Sequence, residues 1–229
     1  MPTALVTGGS QGLGLALVRA LTSRGWDVVT DARHPDALHD AVRGTGARAV
    51  PGDVTDAAHR RALVAAVGPR LDLLVSNAST LGPTPLPALR DLGLDAWRHV
   101  LEVDATAPLA LAQALLPALR AARGAVLSIS SDAAVEPYPG WGAYGAAKAA
   151  LDQWTAVLGV EEPGLAVYAV DPGDMRTAMH QAAFPGQDIG DRPLPATAVP
   201  ALLRLVDERP PSGRYRASDL AAVPAEVTA

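Results

Sequence analysis

The stretch TALVTGGSQGLG, residues 3–14, joins an apolar run to a glycine-rich turn. Residues 3–7 have the length and composition of a short buried strand, and Leu13 and Leu17 then recur at the spacing of one helix face. Glycines let a backbone come close to a phosphate, and the start of a helix offers free N–H groups and a positive dipole. The stretch therefore predicts a strand, a phosphate-binding turn and a helix, in that order.

The same letters also match G-x-S-x-G, the nucleophile turn of α/β hydrolases, with Ser10 as the nucleophile. That turn follows a central strand that the chain reaches after several others, whereas one strand precedes Gly8. We therefore reject the hydrolase interpretation. The spacing of Thr7, Gly8, Gly12 and Gly14 also differs from G-x-G-x-x-G.

Strand and helix patterns alternate along the rest of the 229 residues, which is enough for one α/β domain over 1–229. This alternation predicts a Rossmann-like doubly wound parallel sheet of about seven strands with helices on both faces. The predicted strands are 3–7, 27–31, 47–50, 71–75, 125–129, 165–170 and 214–217. Helices are predicted at 35–42, 56–67, 95–121 with a bend at Pro108, and 200–206.

A hydroxyl, a phenol and an ammonium follow the predicted strand 125–129. Ser131 comes directly after the strand, and Tyr144 and Lys148 are four residues apart in the alanine-rich segment GAYGAAKAALDQW. That spacing places them on one helix face, and a nearby cation favours phenolate over phenol. The pattern therefore predicts a tyrosine whose pKa lies below its usual value of about 10.

Together, the glycine turn and the Ser, Tyr and Lys residues resemble the short-chain dehydrogenase/reductase family. The resemblance implies that Ser131 orients a carbonyl or alcohol, that Tyr144 transfers the proton, and that Lys148 lowers the pKa of Tyr144 and holds the cofactor ribose. Ser130 is the nearest competitor for the first role, and only the spacing prefers Ser131.

The end of the second strand bears on which dinucleotide is bound. An acid there binds the 2′-hydroxyl of NAD, whereas an arginine accepts the 2′-phosphate of NADP. Counting from Gly25, the family's acid falls at Ala32, with Arg33 next, while Asp31 comes one residue early and alternation turns it away. We expect NADP(H), with NAD(H) possible, because a shift of one residue would bring Asp31 to the ribose.

Further segments resemble the family's cofactor site. Ser76-Asn77-Ala78-Ser79 resembles its Asn-Ala-Gly segment, with Ser79 in place of the glycine, which implies strain or a small shift if a positive φ is needed. The resemblance implies cofactor contacts from Thr7, Gly8, Ser10, Gln11, Gly12, Leu13, Gly14, Arg33, Asp53, Val54, Asn77, Ala78, Lys148, Pro172, Gly173 and Thr177. For Asp53 and Thr177, the alternative interpretation is a turn or helix-capping residue.

The chain departs from the family at Asp104, where the family has an asparagine whose backbone binds a water that relays protons to the lysine. A backbone carbonyl is still present at Asp104, so the resemblance keeps this residue in the catalytic set. Its carboxylate, if close to Lys148, would favour the ammonium. The alternative is a residue that bonds within a bent helix.

Composition limits the other possibilities. The chain has no cysteine, and its net charge of −5 comes from interspersed acids and bases, so disulfides, thiolate metal sites and a nucleic-acid surface are not expected. We find no secretion signal or apolar run of about 20 residues, and expect a cytoplasmic protein with no membrane partner. The five histidines show no metal-ligand spacing. His34, His39, His59 and His99 are expected at the surface, and His180 in the substrate loop.

We expect an oxidoreductase that uses NADP(H) to reduce a ketone or aldehyde, or to catalyse the reverse. The alternatives are an NAD-dependent alcohol dehydrogenase, a dinucleotide-binding scaffold that has lost catalysis, and an epimerase or dehydratase on the same fold. Residues 81–90 and about 178–195 are predicted to form the substrate loops, the second as a mobile lid. Few aromatic residues in these loops argue against a stacking platform. The resemblance implies a homodimer or homotetramer in which Trp97 lies in the interface or the core.

Overall fold

Strands and helices alternate throughout the computed structural model, which describes residues 1–221. The strands are β1 (Thr3–Val6), β2 (Asp27–Thr30), β3 (Arg48–Ala49), β4 (Leu73–Ser76), β5 (Ala125–Ile129), β6 (Ala166–Asp171) and β7 (Gly213–Arg216). The helices are α1 (Gly12–Ser23), α2 (Pro35–Val42), α3 (Ala57–Val67), α4 (Leu94–Leu101), α5 (Ala107–Ala122), α6 (Gly142–Glu161), α7 (Ala178–Ala183), α8 (Val199–Glu208) and α9 (Ala217–Ala221).

The seven strands form one parallel sheet in the order β3-β2-β1-β4-β5-β6-β7. The order reverses between β1 and β4, so the loops after these two strands diverge and leave a crevice at their carboxyl ends. Ligands of doubly wound sheets bind in this crevice. The predicted fold class is confirmed.

Two apolar clusters cover the two faces of the sheet. Helices α1 and α8 pack on one face, with Leu17 and Leu202 fully buried, while α3 and α5 cover the other with Leu63 and Leu115. Every residue of β4, β5 and β6 is buried as a result. Continuous apolar strands of this kind are typical of parallel sheets covered on both sides.

The predicted bounds hold at α2 and β5 and shift by one or two residues at the other elements whose bounds were predicted. The region 95–121 differs in a more informative way, because residues Glu102–Thr106 form a π-helical turn between α4 and α5. Pro108 lies two residues after this π turn, inside a helical region that is continuous from Leu94 to Ala122. The observed irregularity is the π turn that carries Asp104, directly before the position where a bend was predicted.

The continuous helical region Leu94–Ala122 is the one part of the described chain that is long and apolar enough to cross a membrane. The sequence expectation of no such run is corrected to that extent. Half of its most apolar window is buried inside the protein, as in the core helix of a globular domain. Trp97 packs partly buried against Val100 and Ala147, so it contributes to the core.

A close approach fixes helix α1 against the sheet. A Cβ added at Gly14 would lie 2.3 Å from the carbonyl oxygen of Gly8 and 2.5 Å from Nδ2 of Asn77. Because backbone atoms and a bonded amide cannot move aside easily, Gly14→Ala should lower the free energy of unfolding by about 2–3 kcal/mol. Urea denaturation measures this loss.

Gly164→Ala provides the matched control. A Cβ at Gly164 would meet no atom within 4 Å, and its φ is not in the left-handed region. We expect its midpoint to stay within experimental error of the wild type. Equal midpoints for the two variants would contradict a steric role for Gly14.

Candidate active site

A cavity of about 300 Å³ runs along the carboxyl ends of the strands. Its walls come from the turn after β1, the ends of β2 and β3, the segment after β4, the end of β5, helix α6 and the loop after β6. These segments are distant in sequence and meet only because parallel strands end at the same edge of the sheet. The cavity lies at the crevice that the strand order predicts.

The buried carboxylate of Asp31 bonds the backbone of the glycine turn from inside the protein. Asp31 is 0% exposed, and its Oδ1 accepts a hydrogen bond from the N–H of Gly8 at 2.9 Å. Its other oxygen lies 2.9 Å from Nε2 of His59. The backbone carbonyl of Asp31 accepts the N–H of Gly9 at 2.8 Å. His59 is thus buried as the partner of Asp31, and its expected surface position is wrong.

The turn is also tied to the segment after β4. Nδ2 of Asn77 donates to the carbonyl of Thr7 at 2.8 Å, and the hydroxyl of Thr7 accepts the N–H groups of Asn77 and Ala78, each at 3.0 Å. These bonds fix the two edges of the crevice relative to each other. Asn77 therefore supports the central sheet as predicted.

The start of α1 is open to the cavity. Gln11 occupies the N-cap position without a side-chain hydrogen bond to the helix, so the first N–H groups of α1 keep free donors. Gly8 and Gly12 adopt φ of +72° and +58°, which glycine allows without strain. This cradle fits the negative pyrophosphate of a dinucleotide.

The end of the cavity beside β2 and β3 is lined by Arg33, His34 and Asp53. Arg33 is exposed and free to turn toward a ligand, whereas Asp31 uses both carboxylate oxygens inside the protein. Burial raises the pKa of Asp53, but hydrogen bonds from Thr55 outweigh this and hold it below the usual value. Asp53 therefore caps its own turn and also lines the cavity.

Fourteen of the sixteen predicted cofactor residues line the cavity: Gly8, Ser10, Gln11, Gly12, Leu13, Arg33, Asp53, Val54, Asn77, Ala78, Lys148, Pro172, Gly173 and Thr177. The other two, Thr7 and Gly14, lie behind the turn. Thr7 orders its neighbours through hydrogen bonds, and Gly14 leaves the space that Gly8 and Asn77 occupy. The hydroxyl of Thr177 accepts the N–H of His180 at 3.1 Å, so Thr177 also caps α7.

Ser131 lies at the end of β5 beside Tyr144. Its hydroxyl donates to Oδ1 of Asp132 at 2.9 Å and accepts the N–H of Ala133 at 3.2 Å. Ser130 also lines the cavity but is 2% exposed, and the one bond of its hydroxyl is a long 3.5 Å contact to the carbonyl of Ser131. The side chain of Ser131 is close enough to the phenol to lower the pKa of Tyr144, which favours Ser131 over Ser130 as the partner of the phenol.

Tyr144 and Lys148 are both buried on the inner face of α6. Nζ of Lys148 donates to the carbonyl of Ile129 at 2.8 Å and lies 5.5 Å from the centre of the Tyr144 ring. Burial, followed by the charge of Asp104, raises the pKa of Tyr144, and hydrogen bonds from Ser131 and Ser79 only partly oppose this. The predicted lowering of the Tyr144 pKa is therefore wrong here, since desolvation of the phenolate dominates.

Asp104 is 1% exposed in the π turn and does not bond within its own helix. Its carboxylate accepts the hydroxyl of Ser79 at 3.0 Å and the N–H of Thr80 at 2.8 Å. Burial raises the pKa of Asp104 to about 6, although the charge of Lys148 works against the rise. Burial lowers the pKa of Lys148, and the charges of Asp104 and Asp152 oppose that change.

Ser79 does not show the strain that its place in the family's glycine position implied. Among the described residues, the non-glycine positions with positive φ are Arg123 and Arg209. The side chain of Ser79 instead links the segment after β4 to Asp104 and to Tyr144. Replacing glycine with serine has added a hydrogen-bond partner to the site.

An aromatic cluster, which the sequence analysis missed, lies beside Tyr144. Trp141 meets the Tyr144 ring edge-on at 5.5 Å between centroids, and Phe184 lies 6.1 Å from Trp141 and 4.9 Å from His180. The lone phenylalanine of the chain thus joins residues from α6 and the substrate loop. The sequence did not predict this cluster, because its members are up to 43 positions apart.

Other cavity residues were also missed. They share no motif, and only the fold brings them together: Thr80, Val103, Ile129, Asp132, Trp141, Asp174 and Met175. Leu81, Met179 and Ala183 also line the cavity, and they lie in the segments predicted as substrate loops. The Trp141 position in GWGAY was the one local signal, since it is a large aromatic within three residues of Tyr144.

Comparison with known proteins places these features in a family. The sequence profile described as short chain dehydrogenase matches residues 2–188. A short chain dehydrogenase of Pseudocercospora fijiensis is 34% identical over 188 residues, which are 77% of this chain and 60% of that protein. This chain therefore spans about three fifths of the length of that relative. A serine 3-dehydrogenase of Rhizobium radiobacter is 30% identical over 223 residues, covering 91% of this chain and 88% of that protein.

Solved structures share the whole architecture. A short chain dehydrogenase from Escherichia coli CFT073, complexed with NADPH, superimposes with a TM-score of 0.88 at 29% identity. The superposition covers 94% of this chain and 96% of that protein.

The buried carboxyl of Asp104 generates a prediction about stability. Its folded pKa of about 6 lies above the value of 3.8 expected without burial, so its contribution to stability is present below pH 4 and lost as the pH rises through 6. Two pKa units correspond to at most about 3 kcal/mol. Asp104→Asn removes this titration, so from pH 4.5 to 7 the variant should gain stability relative to the wild type, measured by urea denaturation.

Asp95→Asn is the control, because Asp95 is an exposed carboxylate on the preceding helix α4. Its difference from the wild type should stay constant over the same pH range. If the Asp104→Asn difference is also constant, the assignment of a buried, near-neutral carboxyl at Asp104 is contradicted.

Proposed function

The chain belongs to the short-chain dehydrogenase family, and we propose that it is an oxidoreductase that transfers hydride between NADP(H) and a small ketone, aldehyde or secondary alcohol. Ser131, Tyr144, Lys148 and Asp104 form the proposed catalytic set. The observation that carries the proposal is the convergence of Ser131 and Tyr144 at one end of the cavity. The glycine cradle lies at the other end.

The residues around the cavity fit a nicotinamide dinucleotide. The uncapped start of α1 and the turn at Gly8 and Gly12 suit its pyrophosphate, and Asn77, Lys148 and Thr177 line the path beyond. Bound there, the cofactor supplies or accepts the hydride. The protein's own groups then have to orient the substrate oxygen and move one proton.

Tyr144 is the proposed proton donor for reduction. Because burial raises its pKa, the phenol keeps its proton at neutral pH and is available as a general acid. Ser131 can turn its hydroxyl from Asp132 to the substrate oxygen and stabilise the charge that develops there. Lys148, held by the carbonyl of Ile129, offers an ammonium that stabilises the phenolate left behind.

Asp104 is proposed to act through Lys148. Its carboxylate is buried behind Ser79 and Thr80, which bond both of its oxygens, and Asp104 does not itself line the cavity. Its charge favours the ammonium form of Lys148 against the effect of burial. In this role the aspartate maintains the cation that the proton transfer from Tyr144 requires.

A preference for NADP(H) over NAD(H) is part of the proposal. It is supported by the exposed Arg33 in the cavity wall, by the internal bonds of Asp31, and by the NADPH bound to the similar structure from E. coli. We expect NADPH to bind at least about tenfold tighter than NADH, a difference of about 1.4 kcal/mol. Arg33→Ala should remove most of this difference by weakening NADPH binding alone, as followed by cofactor fluorescence.

Arg43→Ala is the control for Arg33, because Arg43 is an exposed arginine that pairs with Asp40 outside the cavity. It should leave both affinities unchanged. Tighter binding of NADH by the wild type would contradict the NADP preference and favour an NAD-dependent alcohol dehydrogenase. Binding of neither cofactor by the folded protein would favour a scaffold role.

Tyr144→Phe tests the chemistry. The variant keeps the ring that packs against Trp141 but loses the proton, so turnover of a carbonyl substrate with NADPH should fall by at least about 10³-fold. The affinity for NADPH should stay within about twofold, as measured by fluorescence titration.

Tyr215→Phe is the matched control, since its hydroxyl bonds the carbonyl of Pro211 away from the cavity. Turnover should be unaffected there. Wild-type rates in Tyr144→Phe would overturn the assignment of Tyr144 as the proton donor.

We further propose that the enzyme is a homodimer or homotetramer. Large apolar side chains are exposed on two helices, with Leu94 on α4 and Val157 and Val160 on α6. Association of copies through these helices would cover them. The resemblance to the family points to the helical region 95–121, which includes most of α4.

A further inference from the structure

Arg214 on the edge strand β7 reaches across the sheet to the catalytic end of the cavity. Its backbone is in register with Ala169 of β6, and its side chain is about one quarter exposed. An Nη2 hydrogen of Arg214 is donated to the backbone carbonyl of Ser131 at 2.9 Å. The guanidinium therefore fixes the backbone of Ser131, the proposed catalytic serine, through its carbonyl.

The same guanidinium is bonded to the helix that carries Tyr144. Nε of Arg214 donates to Oδ2 of Asp152 at 2.9 Å, and Asp152 lies one turn after Lys148 on α6. The other carboxylate oxygen of Asp152 is buried and has no hydrogen-bond partner among the described residues. Arg214 is thus the main neutralising partner of this carboxylate.

A third segment meets Arg214 at the end of β6. Nη2 lies 4.0 Å from Oδ2 of Asp171, which precedes the Pro172-Gly173 turn of the cavity wall. One planar side chain with five N–H donors thus contacts β5, α6 and β6 at once. A lysine at this position would have a single charged nitrogen, so it could not bond the carbonyl of Ser131 and the carboxylate of Asp152 with the same geometry.

We propose that Arg214 is a positioning residue that sets the distance and angle between the hydroxyl of Ser131 and the phenol of Tyr144. This inference rests on the proposed function, because the distance between these two groups affects catalysis only if both act on the substrate. Ser131 and Tyr144 lie on separate elements, and Arg214 bonds to both of those elements by side-chain contacts of 2.9 Å. A misplacement of reacting groups by about 1 Å can reduce a rate by roughly 100-fold.

The glycine turn of the cofactor cradle is bonded by other residues, and the link from Arg214 to the Pro172-Gly173 segment is a 4.0 Å contact with Asp171. The glycine turn is fixed by Asp31, Thr7 and Asn77 on the opposite half of the sheet. Loss of Arg214 should therefore reduce kcat and leave cofactor affinity intact. General damage to the fold would weaken both.

Arg214→Ala and Arg214→Lys test the proposal in the full-length chain, with NADPH and a carbonyl substrate that the wild type reduces. We expect kcat to fall by about 30- to 100-fold in Arg214→Ala and by a smaller factor in Arg214→Lys, while the Kd for NADPH stays within twofold. Guanidinium at millimolar, non-denaturing concentration should restore part of kcat in Arg214→Ala and none in Arg214→Lys. If Arg214→Ala does not fold, a fall in kcat at constant Kd in Arg214→Lys carries the same test.

Arg24→Ala is the matched control, because Arg24 forms a bidentate pair with Asp207 far from the cavity. It should leave kcat unchanged. A kcat of Arg214→Ala within threefold of the wild type would overturn the proposal. So would a parallel loss of kcat and NADPH affinity, which indicates general damage.

Crystal structures of the wild type and Arg214→Lys separate this inference from the proposed function. A wild type that reduces no carbonyl with NADPH would reject the proposed function. The inference about geometry then stands or falls on the distance between Ser131 Oγ and Tyr144 Oη. A change in this distance in the variant supports it, and an unchanged distance overturns it.

Discussion

The cofactor half of the site depends on one buried carboxylate. A charge that is fully removed from water is stable only when its oxygens are bonded, and Asp31 meets this condition with the N–H of Gly8 and with His59. Together with the backbone carbonyl of Asp31, which accepts the N–H of Gly9, this carboxylate fixes the backbone at the start of the turn. Asn77, on the other side of the crevice, donates to the carbonyl of Thr7 at the start of the turn, and the hydroxyl of Thr7 accepts the N–H of Ala78. The phosphate cradle is therefore formed before any ligand arrives, which lowers the cost of ordering it on binding.

In the catalytic half of the site, burial shifts the pKa values of acids and bases in opposite directions. Desolvation raises the pKa of Tyr144 and of Asp104 and lowers the pKa of Lys148. Burial therefore disfavours the charged form of each of these three groups. The ammonium of Lys148 and the carboxylate of Asp104 stabilise one another. The helix spacing of Tyr144 and Lys148 provides proximity, but proximity alone does not lower the pKa of the phenol. That balance suits a phenol that gives up its proton only when negative charge develops on a substrate.

The sequence predicted the fold and most of the cavity because the relevant signals are local. Strand, turn and helix at residues 3–14 and the alternation that follows are readable from neighbours in the chain. The pairing of Asp31 with His59 could not be predicted in this way, because it joins positions 28 apart through the packing of α3 beside β2. The same limit applies to the contact between Trp141 and Phe184, and to the pKa of Tyr144, which depends on burial that no spacing reveals.

The division between shared and particular parts of the site follows the chain. The family profile ends at residue 188, and every predicted cofactor contact lies before that point. Arg214 lies beyond it, on the last strand, yet it reaches the carbonyl of Ser131 because β7 is added in parallel beside β6. The cofactor cradle is therefore built from segments that the profile matches, while the backbone of Ser131 is also held by a side chain from outside it.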